Sequence, residues 1–307
     1  MKIYLNREYQ PGPWGGGTKF VGKLSEKLQQ LNHQVVHNLD SKDVDIIFCF
    51  DPRPNSRGEW YETFLHYRHL FGAKIIQRVG DLGTHSKPEL TRLVQETLKH
   101  SDHFIFPSNW AKDEIRFTGL NFSLIPNKPL KIFFENQKPG KIIEDKLKIV
   151  THHWSTNPKK GFDFYSRLDE WCHSHPEYSF TYIGRLPDNV KFLNSSYIPP
   201  SDALFLSQEL PRHHLYLTAS REEAGANHVL EGLASGLPVV YHSDGGSIVE
   251  YCEDFGKSFN SFDTMIESIK HIKDCYPEYE KKLLNFNEDI DSVVNLYCEI
   301  ICKLSST

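Results

Sequence analysis

Residues 220–250 read SREEAGANHVLEGLASGLPVVYHSDGGSIVE, and this stretch decides the fold class. The apolar run HHLYLTAS, which ends at Ser220, predicts a buried strand, and a helix with apolar residues at helical spacing starts at Asn227. The sequence GLP ends that helix, and the next apolar run, 239–241, predicts another strand. Strand, helix and strand in this order are typical of a parallel α/β sheet.

Two carboxylates flank the start of this helix. Glu223 precedes it on the loop, and Glu231 lies about one turn inside it. Both can reach the carboxyl end of the sheet, where open α/β sheets bind ligands. We expect Asn227 to cap the helix and the N–H groups of residues 226–229 to favour a phosphate. The stretch therefore predicts a site for a phosphorylated, polyhydroxylated ligand.

Length and charge narrow the class of protein. The 307 residues suffice for two domains, at roughly 150 residues each. The net charge of −5 argues against nucleic acid as a partner. The chain has no long apolar run or signal-peptide core, and its six cysteines lack CxxC spacing. We therefore expect a cytoplasmic protein with buried thiols.

Strands and helices alternate along both halves of the chain. Strands are predicted over 2–5, 34–37, 45–50, 74–79, 104–106, 124–126, 147–151, 180–183, 215–217 and 239–241. The polar stretch 129–146 breaks the pattern, which places a domain junction near 140. We expect an α/β protein of two doubly wound domains, 1–140 and 141–287, with a last helix over 288–304.

The quoted stretch resembles the donor-site motif of retaining GT-B glycosyltransferases of the GT4 type, E-G-F-G-x3-E-A-x-A-x-G-x-P-V. The resemblance implies that Glu231 binds the ribose of the nucleotide and that Glu223 contacts the donor sugar. It also implies that the intervening turn contacts the sugar and the diphosphate. This turn reads A-G-A-N where the family has G-F-G after the glutamate, which leaves the identity of the sugar open.

A second match lies in THHWSTNPKKGF, residues 151–162. The family has G-R-x4-K-G here, with both basic residues on the diphosphate, and Lys160 matches the lysine whereas Ser155 stands in place of the arginine. A lysine supplies a point charge that stabilises the leaving diphosphate. Asn157 can bond phosphate oxygens, and Arg185, at the end of the next strand, is the candidate for the missing charge.

The residues and the resemblance together give the predicted donor site: Gly16, Ser155, Asn157, Lys160, Gly184, Arg185, Glu223, Gly225, Ala226, Asn227, His228 and Glu231. Glycines 15–17 allow close backbone approach to a ligand. Lys160, Glu223 and Asp81 are the candidate catalytic residues, and Asp81 or His85 is expected to contact the acceptor hydroxyl. No metal is expected at the neighbouring histidines 152 and 153, because they point to opposite faces of a strand. The resemblance likewise implies chemistry without a metal or other cofactor.

The resemblance implies two Rossmann-like domains that face a central cleft, with the donor in the second and the acceptor in the first. The implied activity is sugar transfer from a nucleotide-sugar to a glycan or lipid-linked glycan, with retention of configuration. A lipid-linked glycan lies at a membrane, so peripheral contact of the protein with a membrane stays open. Two alternatives remain: an inactive sugar-nucleotide-binding subunit, which Ser155 favours, and a nicotinamide-dependent enzyme, for which G-x-G-x-x-G is missing.

Overall fold

The computed structural model describes residues 1–10, 16–138 and 140–305, with only the backbone of Gly16. Gly15, part of the predicted glycine loop, lies outside these residues. The chain forms two compact units. The first contains Met1–Asn127 together with the chain from Ile290, and the second contains Lys128–Asp289.

Within these residues we number twelve strands and twelve α-helices. The strands are β1 (Lys2–Leu5), β2 (Gln34–Val36), β3 (Ile46–Cys49), β4 (Lys74–Arg78), β5 (His103–Phe106), β6 (Phe122–Leu124), β7 (Leu147–His153), β8 (Tyr178–Gly184), β9 (Ser196–Ile198), β10 (Leu215–Thr218), β11 (Val239–His242) and β12 (Gly256–Phe259). The helices are α1 (Gly16–Gln30), α2 (Tyr61–Phe71), α3 (Pro88–Thr97), α4 (Asn109–Glu114), α5 (Lys131–Glu135), α6 (Phe162–Ser174), α7 (Ala203–Glu209), α8 (Asn227–Ala234), α9 (Ser247–Cys252), α10 (Phe262–Asp274), α11 (Tyr276–Leu283) and α12 (Ile290–Ser305).

The first unit is a parallel six-stranded sheet in the order β2-β1-β3-β4-β5-β6. Its inner strands β1, β3 and β4 are mostly buried, as expected when helices cover both faces of a parallel sheet. The last helix, α12, packs on α1 and β4 in this unit. Its Tyr297 ring lies 4.7 Å from the Phe20 ring and 5.9 Å from the Phe48 ring. These aromatic contacts hold the C-terminal helix to the first sheet.

The second unit is a parallel six-stranded sheet in the order β12-β11-β10-β7-β8-β9. The structure begins this unit at Lys128, so the predicted junction near 140 is displaced. The reason is α5, which packs on α7 and α8. Its Phe133 is fully buried among apolar residues of the second unit, including Leu210 and Leu230. The predicted pair of doubly wound parallel sheets is confirmed.

One local prediction is wrong, and several elements were missed. The pattern S-K-P-E at residues 86–89 predicts a capping box with Ser86 as the N-cap of α3, but Lys87 occupies that position and Ser86 adopts a left-handed backbone with φ of 62°. Strands β9 and β12 and helices α7, α9 and α11 were absent from the sequence prediction. They are short or have few apolar residues. No helix in the described residues is long and apolar enough to cross a membrane.

Candidate functional site

The candidate site lies at the carboxyl ends of β7 and β10 in the second unit. The chain leaves β7 for β8 on one side, whereas β10 later pairs with β7 on the other side. This arrangement is the topological switch point of a doubly wound sheet, where ligands bind in α/β proteins. Both predicted carboxylates follow β10 in the chain, and the predicted lysine follows β7.

Glu223 forms an ion pair with Lys160 across this edge. The two side chains are 14% and 11% exposed, so both charges are largely removed from water. The backbone of Glu223 is also fixed, because its N–H donates to Gly245 O and its carbonyl accepts from Ser247 N. The structure thus brings together two of the three predicted catalytic residues. A buried pair of this kind is costly to break by removing one partner.

The loop before Lys160 is shaped by its own polar side chains. Asn157 caps the short 3₁₀ helix Pro158–Lys160 by accepting from Lys159 N at 2.9 Å, and Ser155 Oγ accepts from Asn157 N at 3.1 Å. Gly161 follows with a left-handed φ of 79° and packs on Ala219. Ser155 and Asn157, predicted to bond phosphate, therefore shape the turn that presents Lys160.

Glu231 is anchored from the neighbouring strand. Its Oε2 lies 2.8 Å from Nε2 of His152, near the end of β7. The ring of His152 contacts the Tyr216 hydroxyl through Nδ1 at 3.0 Å. Glu231 is only 11% exposed, and its carboxylate contacts His152 near the carboxyl end of β7. The carboxylate that the sequence assigned to ribose is therefore held by a β7–β10 hydrogen-bond network.

A second layer of polar contacts lies behind this network. His153 Nε2 lies 2.7 Å from the Tyr165 hydroxyl, which also accepts from Ala219 N at 2.9 Å. Burial raises the pKa of Tyr165 to about 12, so the hydroxyl stays protonated. His228 bonds Thr218 Oγ1 at 3.0 Å, and its ring lies 4.9 Å from that of His153. His228 thus lies against the end of β7, and its predicted contact with a donor stays a prediction.

The start of α8 differs from expectation in its capping. Ala226 occupies the N-cap and Asn227 is the first helical residue, without a side-chain cap. The N–H of Ala226, expected to face a phosphate, donates instead to Ser247 Oγ at 3.1 Å. The Ser247 hydroxyl on α9 therefore bonds the N-cap residue itself, and the expected asparagine cap does not form. Gly225 lies on the loop between Glu223 and this helix start.

Gly184 and Arg185 lie at the end of β8, beside the end of β7. Gly184 has φ of 134°, and a Cβ there would collide with the carbonyl of His153. The Arg185 guanidinium lies 4.0 Å from the centre of the Trp154 ring, and the backbone N–H of Arg185 donates to the His153 carbonyl. This cation–π contact holds an exposed positive charge at the sheet edge.

Three predicted site residues, Gly16, Asp81 and His85, belong to the first unit. Gly16 begins α1. Asp81 follows β4, is 42% exposed, and accepts from Gly83 N and from Lys87 Nζ at 2.7 Å. His85 is half-buried in the next turn. These contacts make Asp81 a loop-stabilising carboxylate, and its predicted contact with an acceptor stays a prediction.

The first unit contains a cavity of about 520 Å³ that was not predicted from the sequence. It lies at the switch point of the first sheet, beside the ends of β1, β3 and β4. Its lining includes Asn6, Arg7, Asp51 and Arg78. Neither Asp81 nor His85 belongs to this lining among the described residues. The sequence signal that could have predicted this cavity is the polar residues that follow β1 and β3, such as Asn6 and Asp51.

His152 and Tyr216 were also missed as site residues. From the sequence, the neighbouring histidines 152 and 153 are candidates only as metal ligands. Its bond to Glu231 joins residues 79 positions apart. It becomes predictable only once β7 and β10 are known to be neighbours. In the described residues, no group of three or more His, Cys, Asp or Glu side chains is arranged to hold a metal ion.

No protein-family model matches the chain, and no curated protein sequence matches it. Solved structures do match over its whole length. WaaG, a glycosyltransferase involved in lipopolysaccharide biosynthesis, has a TM-score of 0.69 at 14% identity, covering 98% of this chain and 99% of WaaG. HepE from Anabaena, in complex with UDP and glucose, has a TM-score of 0.71 at 13% identity, covering 99% and 100%.

Sucrose-phosphate synthase from Thermosynechococcus elongatus is similar to the same degree, with a TM-score of 0.69 at 12% identity over 99% of both chains. Such low identity shows the fold and not the activity. The two six-stranded parallel sheets with flanking helices match the GT-B fold of these glycosyltransferases. The predicted fold class is confirmed.

Proposed function

We propose that this chain is a glycosyltransferase that binds a nucleotide-sugar at the carboxyl edge of its second sheet and transfers the sugar to a hydroxyl acceptor. The observation that carries the proposal is the pairing of Lys160 with Glu223 and of His152 with Glu231 at the switch point of a GT-B chain. HepE, which has the same fold, has been solved with UDP-glucose. This supports a nucleotide-sugar as the donor class.

Each charged group has a role in this proposal. Lys160 stabilises the negative charge that grows on the diphosphate as the bond to the sugar breaks. Glu231 accepts hydrogen bonds from the ribose hydroxyls, and Glu223 accepts them from the sugar. Because Lys160 and Glu223 contact each other, the donor must share or replace this contact. Lys160 supplies charge directly, so the proposed chemistry uses no metal, and treatment with EDTA should leave turnover unchanged.

The finer parts of the proposal rest on the motif resemblance. We propose retention of anomeric configuration by front-side departure of the diphosphate, which NMR of the product would test. We assign the acceptor, a glycan or lipid-linked glycan, to the first unit. A lipid-linked acceptor would place the protein at the cytoplasmic surface of a membrane.

The test starts from purified protein and a panel of UDP-, GDP- and ADP-sugars. A ligand that binds only the folded state raises the melting temperature by mass action. We expect one donor class to raise it and to release nucleoside diphosphate when glycan acceptors are added. A raised melting temperature without release from any donor and acceptor would support the inactive binding subunit. A panel that leaves the melting temperature unchanged would contradict both.

A further inference from the structure

His152 is buried at the end of β7 and has a specific contact with Glu231. Its Nε2 lies 2.8 Å from Glu231 Oε2, and the two side chains are 10% and 11% exposed. A buried carboxylate requires donors that offset its loss of water. An ionised carboxylate only accepts hydrogen bonds, so Nε2 of His152 carries a proton. The imidazole therefore fixes one oxygen of Glu231.

Tyr216 in turn fixes the imidazole of His152. The Tyr216 hydroxyl lies 3.0 Å from Nδ1 and accepts from the backbone N–H of His152 at 3.2 Å. Burial raises the pKa of Tyr216 well above its usual value, so the phenol stays neutral. The ring of His152 consequently has a partner on each nitrogen and one preferred orientation.

Close packing between α8 and β10 completes the arrangement. Gly232, the residue after Glu231, faces the Tyr216 ring, and a Cβ at Gly232 would lie 2.8 Å from ring atoms. A larger residue would push the helix away from the strand. The glycine therefore sets the distance at which Glu231 meets His152.

We propose that His152 is a positioning residue for nucleotide recognition: by holding Glu231 Oε2, it orients the carboxylate that binds the ribose hydroxyls. This inference rests on the proposed function and adds a specificity element to the same site. Fixing the carboxylate before binding reduces the side-chain entropy lost when the nucleotide binds. A purely structural role, in which His152 only ties α8 to the sheet, makes a different prediction.

The two roles are separated by ligands that lack the ribose hydroxyls. Kd is measured by titration calorimetry for UDP, GDP and ADP and for their 2′,3′-dideoxy analogues, and the preference is the ratio of the two constants. Hydrogen bonds to a charged group predict a wild-type preference of roughly tenfold to a hundredfold. A structural role would weaken both ligands equally and leave this ratio unchanged.

Four variants sharpen the measurement. His152→Asn keeps an amide near the Nδ1 position but loses the donor to Glu231, and we expect its preference to fall to within about threefold of unity. His152→Gln places an amide near the Nε2 position and should keep most of the preference. Tyr216→Phe should give an intermediate value. His213→Asn is the matched control, because His213 is buried in the same unit just before β10.

The outcomes distinguish this inference from the proposed function. A wild-type preference that is lost in His152→Asn, regained in His152→Gln and kept in His213→Asn supports the inference. If the wild type binds a nucleotide and the preference is unchanged in both His152→Asn and Tyr216→Phe, the inference alone is overturned. Absence of wild-type binding to all three nucleotides overturns the proposed function and the inference with it. Should His152→Asn melt below the assay temperature, Tyr216→Phe and His152→Gln still give the ratio.

Discussion

The carboxyl edges of the two sheets have similar topology but use their polar side chains differently. At the second edge the charges bind one another, as Lys160 and Glu223 do, and are nearly buried. At the first edge, the ion pair of Arg7 with Asp51 is more exposed, at 28% and 19%, and lines a cavity of about 520 Å³ together with Arg78. A ligand at the second edge therefore has to share or replace buried ion pairs, whereas a ligand at the first edge enters existing space. Preorganised charge is the arrangement that stabilises a developing charge most effectively.

The largest expected effect is on turnover at the second edge. Lys160→Ala removes the charge opposite the diphosphate and takes the lysine partner away from the buried Glu223. We expect the rate of nucleoside diphosphate release to fall by about a hundredfold to a thousandfold. Lys159→Ala is the matched control, because the adjacent Lys159 is 34% exposed and pairs with the more exposed Glu222. Equal losses in the two variants would contradict a specific role for Lys160.

The next effect concerns stability and contrasts two glycines. Gly184→Ala places a Cβ against the His153 carbonyl at φ of 134°, so we expect a loss of about 3 kcal/mol or more in the free energy of unfolding. Gly17 lies in α1, where, among the described residues, a Cβ would meet no atom within 4 Å apart from its chain neighbours and its own helix backbone. Gly17→Ala should therefore be neutral or stabilise by about 0.5–1 kcal/mol. Urea denaturation of both variants tests this contrast, which disappears if Gly184→Ala unfolds like the wild type.

Acid should destabilise the protein through a buried histidine of the second unit. Burial lowers the pKa of His213 from 6.5 to about 4. Between these values the unfolded chain binds the proton and the folded chain does not, so the free energy of unfolding falls as the pH falls. The loss at pH 5 should be about 2 kcal/mol, with none above pH 7. Urea denaturation at pH 7 and pH 5 should show a smaller loss for His213→Gln, and an equal loss would refute this assignment.

The smallest expected effect tests whether the nucleotide prefers the second edge. Arg78 lines the cavity of the first unit and donates to Asn127 at 2.9 Å. Arg78→Ala should leave the Kd of the bound nucleoside diphosphate within about twofold, whereas Glu231→Ala should weaken it by roughly tenfold or more. Titration calorimetry gives both values. A larger loss in Arg78→Ala would move the nucleotide to the first unit.

The parts of the site that the sequence predicts are local. Glu223 and Glu231 lie eight positions apart around one helix start, so chain order alone places them together, whereas Lys160 was grouped with them through the resemblance. The fold class follows from the same kind of signal, since buried strands alternate with amphipathic helices. The signal fails for β9 and β12, the two outermost strands of the second sheet, in which only Phe259 is buried.

The parts that the sequence misses depend on contacts between distant segments. His152 and Tyr216 gain their roles because β7 and β10 are adjacent in the sheet, which the intervening 61 residues, 154–214, conceal. The domain boundary was misplaced for a similar reason. Phe133 lies in a polar stretch, and its burial against the second unit appears only in three dimensions.

The central claim is that the site at the carboxyl ends of β7 and β10 binds a nucleoside diphosphate through Glu231 and Lys160. The most direct test is a crystal structure of the protein soaked with UDP, GDP or ADP. We expect ribose hydroxyls at about 2.6–3.0 Å from the Glu231 carboxylate and phosphate oxygens at about 2.7–2.9 Å from Lys160 Nζ. A nucleotide bound at the first unit, or an empty edge at saturating concentrations of all three, would contradict the claim.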